Sequence, residues 1–89
     1  MTDKKIIKDQ LVNVLSEKIR ICLKSRRELI HYQQRLYDTL KDEKLPHKDY
    51  IKAEKAYDET ISRLDIINAE IAGWEGAREI VLNWGEQFE

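Results

Sequence analysis

Residues 41–47, Lys41-Asp42-Glu43-Lys44-Leu45-Pro46-His47, separate two stretches of similar length that obey one hydrophobic rule. Pro46 disfavours helical geometry at Leu45 and suits the first turn of a new helix. Upstream, Val12, Leu15, Ile19, Cys22, Leu29, Leu36 and Leu40 recur at alternating intervals of three and four, with Arg26 and Gln33 as polar members. Downstream, Tyr50, Ala53, Tyr57, Leu64, Ile67, Ile71, Trp74, Val81 and Phe88 do the same, with Thr60, Arg78 and Gly85 as polar or small members. That interval is the period of a helix packed along another helix. Leu23, Ile30 and Tyr37 widen the first seam, as in a bundle.

The expected fold is all-α: a long antiparallel helical hairpin, coiled-coil-like, completed into a helical bundle by oligomerisation. Residues 1–89 form one helical domain, with helix 1 over about 3–43, a turn over about 41–47, helix 2 over about 47–84 and a short C-terminal tail. Gly85 is the expected helix stop. With the reversal centred near residue 44, residue i should lie about level with 89 − i. Leu15 would then meet Trp74, Ile19 would meet Ile71, and Cys22 would meet Ile67. The seam keeps phase across Gly73 and Gly76, which predicts one continuous second helix. A bend at either glycine would instead fold the last piece back into a three-helix monomer.

Charged residues make up 37% of the chain and hydrophobic ones 42%, which suits amphipathic helices rather than a disordered chain. Residues 1–35 hold nine Lys/Arg against four Asp/Glu, and residues 36–89 hold seven against thirteen. A basic arm beside an acidic one favours their pairing and opposes a uniformly basic nucleic-acid surface. No apolar run approaches the roughly 20 residues of a membrane span. Met1-Thr2-Asp3-Lys4-Lys5 leads into mixed charge rather than a secretory apolar block, and Cys22 is the only cysteine. A cytoplasmic location without membrane association is expected.

Chemical motifs are sparse. Glu28-Leu29-Ile30-His31 has the Glu-x-x-His spacing of di-iron carboxylate bundles, but Leu29 occupies the seam and sends His31 toward the opposite face. No second copy of the motif exists. Gly73-Trp74-Glu75-Gly76 has the spacing of the Gly-x-x-Gly clamp of the KH fold. A glutamate within it would repel phosphate and strands are lacking, so close helix packing is the better reading. Arg26 and Arg78 lie in the seams, where each is expected to reach the edge and pair with an acid. Cys22 reads as a small hydrophobe in the seam, and neither histidine has the companions of a catalytic triad. No enzymatic activity, metal or cofactor is expected.

Two surfaces remain. Arg20, Lys24, Arg27 and His31 form a ridge on the outer face of helix 1 that would suit phosphates. A second apolar stripe is more informative. Ile66, Ala69, Gly73, Ala77, Ile80 and Trp84 run along helix 2 about 130° from its seam. Ile7, Leu11, Val14 and Ile21, interrupted by Lys18, form the matching stripe on helix 1. Soluble proteins rarely leave such a patch uncovered unless it is an interface. The turn end, roughly residues 38–60, by contrast reads as heavily charged outside its seam. The functional expectation is a small non-enzymatic interaction protein, a homodimer or higher oligomer that acts as adaptor, regulator or inhibitor of a protein partner. The alternative is an RNA- or DNA-binding hairpin dimer using the basic ridge.

Overall fold

The computed structural model describes residues 2–84. It consists of α1, Thr2–Leu40, and α2, His47–Leu82, with no strand among the described residues. The molecule is an all-α helical hairpin. Gly85 and Phe88, expected as the helix stop and the last seam position, lie outside the described residues.

No glycine or proline interrupts α1, and its end is set by turn chemistry. The Lys41 N–H reaches the carbonyls of Tyr37 and Asp38 at 3.2 and 3.3 Å, and the Asp42 N–H reaches Thr39 at 3.1 Å. The bonds to Asp38 and Thr39, which span three residues instead of four, tighten the last turn. Asp42 then competes with further helix. Its carboxylate accepts the Lys44 N–H at 3.0 Å, and its carbonyl accepts the Leu45 N–H at 3.2 Å. Helix 1 therefore closes at Leu40, three residues short of the expected 43. The Pro46 carbonyl accepts the N–H groups of Asp49 and Tyr50, both at 3.0 Å, and so starts α2. Pro46 thus stands just before the first helical residue rather than within the first turn. Asp49 adds a negative charge at that positive helix end. α2 runs unbroken through Gly73 and Gly76, so the second helix does not fold back within its described length.

The chain divides into two compact units, each taking a stretch of both helices. In the unit Lys24–Asn68, Leu29, Leu36 and Leu40 are half-buried with Tyr57, Leu64 and Ile67, while Ala53 and Thr60 are buried. Thr60 is the most enclosed, at 2% exposure. Its hydroxyl accepts a hydrogen bond from Gln33 Nε2 at 3.0 Å and donates to the Tyr57 carbonyl at 2.6 Å. The rings of Tyr37 and Tyr57 meet at 6.3 Å between centroids. Arg26 Nη1 donates to Asn68 Oδ1 at 3.0 Å. The expected acid partner of Arg26 is therefore replaced by an amide, because that is the acceptor its side chain reaches at the seam edge.

The second unit joins Met1–Leu23 with Ala69–Glu89. Ile19, Ile71 and Val81 are buried there, with Val12, Leu15, Cys22 and Arg78 half-buried around them. Cys22 Sγ approaches Glu70 Oε2 at 3.8 Å.

The level of pairing differs from expectation. Cys22–Glu70, Arg26–Asn68, Gln33–Thr60 and Tyr37–Tyr57 have residue numbers totalling 92 to 94, not 89. The physical reason is the linker. Residues 41–45 continue winding beyond Leu40, so the reversal is centred near Pro46 rather than near residue 44. Tyr50 is consequently level with the linker rather than with α1 and remains exposed. Trp74, expected against Leu15, keeps 36% of its surface exposed because one helix-to-helix seam is too narrow for an indole.

Candidate interaction surface

The unit made of residues 1–23 and 69–89 carries most of the second stripe. In it, Leu11 directly precedes the seam residue Val12, and Ala77 directly precedes Arg78. These are equivalent heptad positions, and in an antiparallel pair such positions flank the seam on the same side. Leu11, Ala77 and Trp84 are half-buried on that flank. One step farther out, Ile7, Val14 and Ile21 of α1 and Ala69, Gly73 and Ile80 of α2 are exposed. Val14 is 55% exposed and Ile80 64%. The two stripes thus lie on one side of this unit, where exposed Lys18 and Glu70 break the apolar face. Ile66, also exposed, belongs to the other unit.

Two further observations bear on this face. Among the described residues, the only buried hydrophobic side chains are Ile19, Ala53, Ile71 and Val81. At Gly73 and Gly76, an added Cβ would meet nothing within 4 Å, and neither glycine has a positive φ. Nothing among the described residues therefore calls for glycine at these helical positions.

The basic ridge is split between the two units, with Arg20 in one and Lys24, Arg27 and His31 in the other. All four are exposed. Arg20 is already engaged: its Nε donates to Glu17 Oε2 at 2.9 Å, and its Nη2 reaches Glu17 Oε1. The hydrogen bond from Arg20, with a smaller charge effect, holds the Glu17 carboxyl below its ordinary value. The same pairing raises the Arg20 guanidinium. Tyr32 is exposed next to His31 in sequence, and the Arg35 guanidinium lies over its ring at 5.8 Å. Glu28 and His31 are both exposed while Leu29 is half-buried, as the seam assignment requires. Among the described residues, no group of three or more His, Cys, Asp or Glu side chains comes together in a form that could hold a metal ion. No helix there is long and apolar enough to cross a membrane.

Sequence reasoning missed one feature of the unit Lys24–Asn68. Ile30, Ile51 and Ile61 are exposed there, and Ile51 alone falls within the turn end, residues 38–60, that the sequence reads as charged outside its seam. Ile30 follows the seam residue Leu29, and Ile61 follows Thr60, which places both on one flank of this unit's seam. The signal was present in the heptad offsets of Ile61. An open cleft of about 240 Å³ lies in this unit, lined by Gln33, Gln34, Tyr37 and Tyr57.

Comparison with protein-family models, with curated proteins and with solved structures gives no match.

Proposed function

We propose that this chain is a non-enzymatic helical interaction protein that works by covering its apolar face with another chain, in the first place a second copy of itself. The assembled form then acts on a protein partner as adaptor, regulator or inhibitor. The observation that carries the reading is the shared flank of Leu11, Val14 and Ile21 with Ala77 and Ile80, in a chain that buries so few of its own hydrophobic residues. Contiguous apolar patches of this kind mark interaction surfaces in soluble proteins.

Analytical ultracentrifugation tests it. The parent is expected to sediment as a dimer or larger species. Ala77→Glu places an unpaired charge on the face and is expected to yield a smaller species that is still helical. A parent that stays monomeric at high concentration rejects the reading.

Nucleic-acid binding through Lys24, Arg27 and His31 is the second reading. Exposure of these three residues and of nearby Tyr32 favours it. The Glu17 partner of Arg20 and the neighbouring Glu28 weaken the positive field it needs.

A further inference from the structure

Beyond self-association, we infer that the open cleft between Gln33, Gln34, Tyr37 and Tyr57 is a recognition site for a planar guanidinium group. The unit Lys24–Asn68 contains all four residues, so the site is complete within one compact part of the chain. It does not depend on the apolar face of the other unit.

The amide orientations carry the argument. The Thr60 hydroxyl directs its single proton to the Tyr57 carbonyl at 2.6 Å, so toward Gln33 it can only accept. The Gln33 NH2 group therefore lies on the Thr60 side, and Oε1 is the end left over. Asp38 fixes Gln34 in the same way, because a carboxylate only accepts and takes Gln34 Nε2 at 3.2 Å. Among the described residues neither amide oxygen accepts a hydrogen bond, and neither phenol has a hydrogen-bond partner. With an N–H of each amide committed elsewhere, the cleft lining retains two carbonyl acceptors and two phenols. Such a lining opposes an anion and suits a group rich in N–H donors. The negative Asp38 bonded to Gln34 polarises that amide further in the same sense.

The aromatic walls decide the charge. Tyr37 is exposed and Tyr57 half-buried, with their rings 6.3 Å apart and tilted by 36°. The face of a tyrosine ring attracts cations, and this chain uses the contact twice. The Lys41 ammonium stands over Tyr37 at 4.3 Å, and the Arg35 guanidinium over Tyr32 at 5.8 Å. A guanidinium suits the cleft better than an ammonium. It is flat enough to stack on a ring while its edge donates to carbonyls, and it is more weakly hydrated. Size points the same way. Pockets for whole drug-sized ligands span about 300–1,000 Å³. An open cleft of about 240 Å³ takes instead the head of a side chain or of a small compound.

NMR titration of the full chain tests the site, read on the side-chain amides of Gln33 and Gln34 and on the rings of Tyr37 and Tyr57. N-acetyl-arginine amide is expected to shift these signals saturably, in the millimolar range for a single exposed head group. The neutral isostere N-acetyl-citrulline amide should bind several-fold more weakly. Butylguanidinium separates the two sources of the group. Weaker binding than the arginine amide assigns the site to an arginine side chain of a protein, and equal or tighter binding assigns it to a free guanidino compound. Tyr37→Leu should lose about two- to fivefold in affinity, the worth of one exposed cation–π contact. Tyr37→Phe keeps the ring and should retain binding. The signals report only on the unit Lys24–Asn68, so the result is separate from the oligomeric state. Absence of saturable shifts, equal binding of the citrulline amide, or unchanged affinity in Tyr37→Leu overturns the inference. Tighter binding of butylammonium than of butylguanidinium overturns it as well.

Discussion

Thr60 is the most enclosed polar side chain described, and both hydrogen-bonding capacities of its hydroxyl are used, by Gln33 and by the Tyr57 carbonyl. An apolar residue would fit the space, so this polar layer contributes more to the choice of pairing level than to gross stability. Thr60→Val strands the Gln33 amide in a half-buried position and is expected to cost about 1–2 kcal/mol in urea unfolding. The double change Gln33→Leu with Thr60→Val removes both partners and is expected to be near neutral. A double-mutant cycle showing simple additivity would mean the two side chains do not depend on one another. Glu17 and Arg20 behave differently, because both are exposed. The carboxyl's folded value is lowered, so its contribution is present above the unfolded value and is lost as pH falls through the folded one. Solvent screening keeps that contribution small, and Arg20→Gln is expected to leave the melting temperature at neutral pH almost unchanged.

The two helices were legible as elements because the seam interval persists through every polar exception. Arg26, Gln33, Thr60 and Arg78 sit where the period places them, buried or half-buried. Their partners were not legible. Which acceptor Arg26 reaches depends on the level of one helix against the other, and that level depends on the path of six linker residues. The Asp42 turn sends the chain onward before Pro46 reverses it, a local competition that a periodicity argument does not contain. The candidate face was legible in composition, while the common flank of its two stripes follows from antiparallel pairing. Within α2, the glycines give a direct test. A helical glycine without steric need costs about 0.5–1 kcal/mol relative to alanine. Gly76→Ala is therefore expected to raise stability by about that amount, read by thermal or urea unfolding. Gly73→Ala should gain less than Gly76→Ala if a neighbouring chain sits over it, and equal gains would argue that both positions face solvent. On α1, replacing Lys24 and Arg27 with Gln should leave stability within about 0.5 kcal/mol. If the parent binds RNA or DNA, a steep salt dependence that this variant loses would favour the nucleic-acid reading.

At the scale of the whole molecule, only four hydrophobic side chains are buried among the described residues. A chain this short has difficulty supplying a sufficient core alone. If association supplies the rest, folding and assembly are linked by mass action, and the melting temperature must rise with protein concentration. The parent is expected to show that rise across a hundredfold range of concentration, whereas an intramolecular fold would melt at one temperature throughout. Ala77→Glu distinguishes the cause. Ala77 lies on the half-buried flank rather than in the seam, so the substitution spares the contacts of Ile19, Ile71 and Val81. Covering a carboxylate with another chain should cost at least about 2 kcal/mol, enough to shift the dimer midpoint more than tenfold in concentration. The variant should therefore melt lower than the parent at high concentration, with the difference shrinking as both are diluted toward the monomer. A constant difference at every concentration would place the damage inside the hairpin, and an unchanged melting curve would place Ala77 in solvent. Ala77→Ser, small enough for a close crossing, should retain the concentration dependence. Its loss there too would mean that the contact between chains tolerates no polar atom at this position.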